Sequence, residues 1–464
     1  MKEYDFVVIG GGTGGLTLLY KALQLNKKVA LLTSGPIGGT CQNFGCVPSK
    51  MLIYPADVIE TINSAGNLGI EARITNINFS AIMERMRQSV AQSVQATEDN
   101  LKNQANLDYY HSQAHFTGDY TLATGVEQIR GKKIFVATGS RPMVPPIKGL
   151  KETGFLDEKT VLRLSDVPES MVFIGGGYIA AEYGHFFSAM GTKVTILQDA
   201  DRLVPHEEPE ISHLLAKELG KRLVVHTDMK VISARKNGKI SAVTARDSRT
   251  GRESEFPAEK IFVATGRESN ADLLKGENSG IETNEKGYIE VNDYLETSKN
   301  DIRAFGDAIG RQMFTHAADK EAEIAWHNAI HEKRRKMDFG SVPHAVYTWP
   351  QIASVGMTEA HALQNHDILV GKARYSDTVR GMAMRENEGF AKAIVEKETG
   401  KILGFHIIGP DAPIIIQEVV NVIARGGAAE EIKESMHIFP SLGDLVTEAL
   451  GNLQEVREFA GGHA

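Results

Sequence analysis

Two stretches of this chain share one grammar, and that repetition limits the fold more than any other feature. Phe6-Val-Val-Ile9 runs into GGGTGG, Gly10 to Gly15, and then into an apolar, helix-like stretch through Leu25. Val172-Phe-Ile174 runs into GGGYIA, Gly175 to Ala180, and then into a similar stretch through Met190. Each returns to a strand, Lys28 to Leu32 and Lys193 to Leu197. Strand, glycine turn, helix and strand make the βαβ unit that holds a dinucleotide. Glycine serves three ends there: a tight turn, close approach of a pyrophosphate to the backbone, and close packing of helix on strand. The free N–H groups and positive dipole at the helix start face the phosphates. The positions that do this are Gly10, Gly12 and Gly15 in the first unit. In the second they are Gly175 and Gly177, with Tyr178 and Ile179 opening the helix. One G-x-G-x-x-G is weak evidence. Two, each between strands, predict an α/β chain with two Rossmann-like dinucleotide-binding domains.

A second repeat orders these domains. Ile134-Phe-Val-Ala-Thr-Gly139 and Ile261-Phe-Val-Ala-Thr-Gly266 each end a strand in Ala-Thr-Gly. The second nucleotide domain therefore reads as an insertion in the first. The expected division is 1–146 for the first part of one domain, 147–266 for the inserted one, 267–340 for the return to the first, and 341–464 for an α+β C-terminal domain. In that last domain Val346-Tyr-Thr, Ile352 to Val355, Ala391 to Val395 and Ile402 to Ile408 read as strands, and Ile414 to Ala424 and Ala428 to Glu434 as helices. Between Asn78 and Gln104 the spacing of Phe79, Ile82, Met83 and Met86 predicts an amphipathic helix.

The chemistry is concentrated in GGTCQNFGCVPSK, Gly38 to Lys50. The 464 residues contain only two cysteines, Cys41 and Cys46. That count excludes a disulfide-stapled scaffold and a multi-cysteine zinc site. Two thiols this close, beside a dinucleotide turn, can cycle between disulfide and dithiol, and a helix N-terminus would favour the thiolate. The plainer alternative is two buried structural thiols. With 51 basic against 59 acidic residues the net charge is −8, which argues against a nucleic-acid partner. No apolar run approaches the roughly 20 residues that span a bilayer, so no membrane partner and a cytoplasmic location are expected. His327 and His331 stand four apart, but a metal site needs a third ligand, and none is predicted.

On these residues the chain resembles the pyridine nucleotide–disulfide oxidoreductases, the flavoproteins that include dihydrolipoamide dehydrogenase, glutathione reductase and mercuric reductase. The likeness extends to Thr297-Ser298 with Ile302-Arg-Ala-Phe-Gly-Asp307, to Met313-Phe-Thr-His-Ala-Ala318, and to Val342 to Glu359. It implies FAD and NAD(H) or NADP(H) as cofactors and a homodimer whose active site is completed by the partner subunit. It implies that Asp307 meets the ribityl hydroxyls, and that Met313, His316 and Ala317 open a central helix towards the flavin. Gly39, Thr40, Ala114, Thr138, Gly139 and Ser140 fall to the FAD site, and Gly266 to the cofactor sites, by the same resemblance. Electrons would pass from NAD(P)H through FAD to a Cys41–Cys46 disulfide, with Cys46 next to the flavin and Cys41 exchanging with substrate. Lys50 would lie beside the flavin and pair with Glu182, and Tyr178 would cover the nicotinamide pocket.

The departures are as informative. The family's disulfide reductases carry His-x-His-Pro followed by Glu, where the second His is the acid/base and the Glu orients it. Here the segment is His437-Ile-Phe439-Pro440, with Asp444 at the orienting position. Loss of such a proton-transfer group removes about 10²–10⁴-fold in rate. The tail, Glu458 to Ala464, has no cysteine of the kind mercuric reductases use. Thr33 stands where an acid usually binds the FAD ribose, and Gln198 where an acid would favour NAD. Three readings follow. The first is a dihydrolipoamide dehydrogenase-like enzyme acting on a disulfide or dithiol, lipoyl among the candidates, with altered proton transfer. The second is a diaphorase reducing quinones or metal ions. The third is a flavin-binding redox sensor without turnover.

Overall fold

The computed structural model describes residues 1–456; the cysteine-free tail noted above lies outside the described residues. Mixed α/β architecture is present throughout. The first sheet has Lys2–Ile9 at its centre, parallel to Val29–Thr33 on one side and Gln128–Val136 on the other, with Leu107–His111 beyond Val29–Thr33. Gln128–Val136 is long enough to serve two partners. Its start pairs with Thr121–Ala123, and its end pairs with Ile302–Ala304. The strand from residue 302 thus closes a sheet begun at residue 2, with the second glycine turn in between.

The second sheet is parallel, in the order Val224–His226, Lys193–Leu197, Ser170–Ile174, Lys260–Val263. An antiparallel trio, Met229–Asn237, Ile240–Asp247 and Glu253–Ala258, lies beside it. The C-terminal sheet is antiparallel and has six strands. Ile352–Gly356, Ile402–Ile408 and Phe390–Glu396 match their expected runs closely. The expected strand Val346-Tyr-Thr instead ends at Val346, because the Tyr347 amide is diverted to a carboxylate described below. Ile368–Arg374 is a strand that the pattern did not suggest. Gly371 interrupts it in sequence, yet a Cβ there would stand 2.0 Å from the Ala449 carbonyl oxygen, so the glycine lets the last helix dock. The expected helix Ile414 to Ala424 is two pieces, Ala412–Ile415 and Gln417–Ile423. The amphipathic helix is Phe79–Lys102, with Phe79, Met83 and Met86 buried and Asn78 capping its start through the Ala81 amide. No helix among the described residues is long and apolar enough to cross a membrane.

The C-terminal sheet is tied to the second nucleotide domain by buried charges rather than by apolar contact alone. Lys392 and Glu208 are each 1% exposed and meet at 2.8 Å, and Lys392 also reaches Glu359 at 2.6 Å and Glu210 at 3.3 Å. Beside them Glu207 accepts from His344 at 2.5 Å and from Ser354 at 2.6 Å. Removing one member of such a cluster strands the others without compensation. Lys392→Met is expected to cost about 3 kcal/mol, seen as an earlier urea transition of the holoenzyme. An unchanged transition would show that the cluster is not what ties the two parts.

Candidate active site

Each glycine turn is forced by its neighbours. Gly10 has φ +115°, and a Cβ there would lie 2.0 Å from the Ala137 carbonyl oxygen; Gly175 has φ +102° and the same relation, at 2.3 Å, to Ala264. The helices that follow, Thr13–Leu23 and Tyr178–Ala189, start at Gly12 and Gly177 without a side-chain cap. No side chain among the described residues caps their first N–H groups, and a Cβ on Gly177 would meet nothing within 4 Å. This is a cradle for an anionic group. Gly39 packs on Gly12, where its Cβ would be 2.7 Å from the Gly12 Cα, so the cysteine loop is held against the first cradle. Gly15 is buried against the Gly10 carbonyl. Ala114 is buried in the connection that follows Leu107–His111. The Thr138 hydroxyl is buried without a partner among the described residues, and Gly139 and Gly266 follow their strands at φ +70° and +124°.

Around Asp307 the polar groups converge. Arg267 Nε donates to Ser140 Oγ at 2.6 Å, and Ser140 Oγ donates to Asp307 Oδ2 at 2.5 Å. Sequence reasoning missed Glu321, which lies beneath. Its Oε2 accepts the Gly306 amide at 2.5 Å, its Oε1 is without a partner among the described residues, and burial pushes its carboxyl up to about 7. The two cradles, the unpartnered Thr138 hydroxyl and the Asp307 cluster fit an FAD and a nicotinamide dinucleotide. Thr33 donates to the Gly35 carbonyl, which leaves its lone pairs to accept. Gln198 is occupied internally: its Oε1 accepts the Gly176 amide at 2.8 Å, and its Nε2 donates to the Arg202 carbonyl at 3.3 Å.

The two thiols sit on either side of a helix break. Cys41 lies in the short turn Gly39–Asn43, and Cys46 is the first residue of the helix Cys46–Ser64. Both are free; Cys41 is half-buried and Cys46 exposed. The break explains how a spacing of five brings the sulfurs together. The Cys46 thiol is drawn down to about 6, first of all by the Cys41 side chain beside it, while Cys41 is pushed well above its ordinary value. The Thr315 hydroxyl, 3.4 Å from Cys46 Sγ, and the Lys50 ammonium add to the effect, against burial and the Glu182 charge. The helix N-terminus favours the same thiolate. Thr315 was not suggested by the sequence, since nothing marked it apart from its neighbours Met313 and His316.

One turn along the cysteine helix, Lys50 Nζ spans Glu182, at 2.9 Å to Oε1 and 2.7 Å to Oε2. The Glu182 side chain is 5% exposed. Its Oε1 also accepts the Tyr347 amide at 2.9 Å, and the Lys50 ammonium stands 4.7 Å over the Tyr347 ring. The central helix, Thr315–Ile330, begins beside Cys46 without a side-chain cap, with Ala317 buried and Met313 half-buried. The His316 ring stacks on Phe314, and its Nε2 faces the Pro343 carbonyl at 2.7 Å. Tyr178 opens its helix partly exposed, 6.4 Å from the Phe314 ring. Thr40 and Ile179 are half-buried in their respective turns.

The C-terminal segment does not reach this site within one subunit. Phe439 is 74% exposed, with Met436 and Ile438 bare beside it. His437 is engaged in its own chain, Nε2 against Glu418 Oε1 at 2.7 Å and Nδ1 against the Ser435 carbonyl at 2.9 Å. Asp444 opens the helix Asp444–Gly451 and accepts the Ser441 amide at 3.2 Å.

Residues 4–322 match the family described as pyridine nucleotide-disulphide oxidoreductase, and residues 342–450 match its dimerisation domain. The chain is 33% identical to mycothione reductase of Mycobacterium tuberculosis, over 98% of this chain and 100% of that protein. It is 31% identical to a dihydrolipoyl dehydrogenase of Bacillus subtilis, over 96% and 97%. Among solved structures it resembles the Cu(II) complex of the HOCl-induced flavoprotein disulfide reductase RclA from Escherichia coli, with a TM-score of 0.86, 28% identity, and 97% and 99% coverage.

In the reduced holoenzyme, the rate of Cys46 alkylation by iodoacetamide is expected to be half-maximal near pH 6, falling below that as the thiolate is protonated. Thr315→Val is expected to raise that midpoint by about 1 pH unit, the worth of one hydrogen bond to a charged group. A parent midpoint near the ordinary thiol value of about 8.5 would contradict the geometry.

Proposed function

Because the chain belongs to the pyridine nucleotide-disulphide oxidoreductases, we propose that it is a homodimeric reductase that delivers electrons from NAD(P)H to a disulfide substrate through Cys41 and Cys46. The observation that carries this reading is the placing of Cys46: first residue of its helix, 3.4 Å from Thr315 and one turn from the Lys50–Glu182 pair. Bound FAD supplies a two-electron carrier between reduced nicotinamide and the cysteine pair. The residues of the chain do the rest. The uncapped starts of Thr13–Leu23 and Tyr178–Ala189 bind the two pyrophosphates, and Asp307, with Ser140 and Arg267 behind it, holds hydroxyls of the FAD chain. Tyr178 shields the nicotinamide position.

Once reduced, Cys41 attacks one sulfur of the substrate disulfide; that S–S bond breaks and one thiol leaves with a proton. Cys46, as thiolate, then attacks the mixed disulfide and restores Cys41–Cys46, and the second sulfur leaves as a thiolate that takes its proton from water. Two electrons and two protons are consumed for two thiols formed. With Phe439 at the proton-transfer position, the base nearest the Cys41 proton is the Cys46 thiolate itself. The arrangement favours substrates whose departing thiol is acidic and needs little help in leaving. An ordinary alkyl disulfide such as lipoamide is a poor match in this respect.

The homodimer follows from the family's dimerisation domain and from the bare Met436, Ile438 and Phe439 that a partner would cover. Sedimentation is expected to give twice the chain mass. Cys41→Ser is expected to abolish disulfide turnover while leaving NAD(P)H-driven quinone reduction in place. Loss of neither activity would mean that the pair is bypassed. Phe439→His is expected to raise lipoamide or glutathione disulfide turnover by about 10²-fold. No gain would show that proton delivery is not what limits those substrates.

A further inference from the structure

A second polar contact runs along the same helix seam as Lys50–Glu182, and the mechanism above does not use it. His185 is fully buried in the helix Tyr178–Ala189, three residues beyond Glu182. Asp57 is seven residues beyond Lys50 on the cysteine helix. Those spacings keep His185 on the Glu182 face and Asp57 on the Lys50 face. His185 Nε2 meets Asp57 Oδ1 at 2.9 Å, and Arg222 donates to His185 Nδ1 at 2.8 Å. Because an arginine can only donate, Nδ1 is the acceptor and Nε2–H donates to Asp57. The ring is therefore neutral, and its tautomer is fixed by both neighbours. Arg222 also stands 3.3 Å from Glu60, on the cysteine helix, and donates to the Trp349 carbonyl at 2.8 Å. Trp349 lies two residues after Tyr347, whose amide binds Glu182. The same three elements meet twice, first at Glu182 and one step along at His185.

We propose that His185, held between Asp57 and Arg222, is a positioning residue that fixes the helix bearing Cys46 and Lys50 against the helix bearing Glu182. Sequence spacing alone does not hold two helices in register. Leu52, Ala56 and Ile59 share one buried apolar cluster with Ala180, Tyr183 and Phe186, which holds the two helices together without direction, so the ion pair, whose lysine is 35% exposed, can still serve as a pivot. A second contact, buried and directional, removes the pivot. Without it Lys50 swings towards water, and its ammonium no longer acts on Cys46 or stands over the Tyr347 ring. The groups that bear on His185 are Asp57, Glu60 and Arg222; those that bear on Cys46 are Cys41, Lys50, Glu182 and Thr315.

This inference rests on the redox role proposed for Cys46, and its test separates the two. Reduced holoenzyme is alkylated with iodoacetamide across pH, and the Cys46 peptide is followed. His185→Phe is expected to raise the midpoint by about 1 pH unit, as for loss of a nearby opposite charge. His185→Gln, which keeps a donor towards Asp57, is expected to return it towards the parent value. If His185→Phe fails to fold, Asp57→Ala cuts the same contact at its partly exposed end, with the same expected rise. A folded variant with a lower melting temperature but the parent midpoint would overturn the proposal, since it would make the contact merely structural. A parent protein whose cysteines stay joined on treatment with NADH or NADPH would instead refute the redox reading, whatever the His185→Phe midpoint.

Discussion

The structure depends on one carboxylate. Glu182 is almost wholly buried and faces three parts of the chain at once: its own glycine-turn helix, Lys50 on the cysteine helix, and the Tyr347 amide at the entry to the C-terminal sheet. A buried carboxylate without partners is not tolerated; breaking such a pair costs about 3–5 kcal/mol, less here because Lys50 is partly exposed. The need to satisfy Glu182 therefore sets where the cysteine helix begins relative to the second nucleotide domain. It also ends a strand at Val346, where alternation alone would have continued it.

Around that point the chain leaves helix starts open. The helices beginning at Thr13, Tyr178, Cys46 and Thr315 all lack a side-chain cap. A missing cap costs about 1 kcal/mol. What is gained is positive potential and free N–H groups where phosphates and a thiolate need them. The low value of the Cys46 thiol belongs to this pattern, sharpened by Cys41, Thr315 and Lys50.

Much of this was legible in the sequence because glycine turns and cysteine spacing are local devices. The two βαβ units, the Ala-Thr-Gly strand ends and the cysteine loop lie within a few residues of their own signals. Lys50 and Glu182 were legible only through the family resemblance, since 132 positions separate them. What escaped depends on long-range packing. Thr315 becomes informative only when the central helix is seen beside Cys46, and Glu321 only when its buried oxygen is seen beneath Gly306. The strand Ile368–Arg374 was hidden by Gly371, a residue that reads as a breaker until the close approach of Ala449 explains it. His437, two residues before Phe439, is engaged by Glu418 and the Ser435 carbonyl, contacts that the sequence does not show.

The central claim is that electrons from a reduced nicotinamide reach Cys41 and Cys46. The most direct measurement is to isolate the oxidised holoenzyme, treat it anaerobically with NADH or, separately, NADPH, quench with an alkylating reagent and weigh the Gly38–Lys50 region by mass spectrometry. The account predicts no alkylation before treatment and two alkylated cysteines after it, with the faster nucleotide naming the preference that Gln198 leaves unstated. Reduction of the bound flavin with both cysteines still joined and unmodified would contradict it.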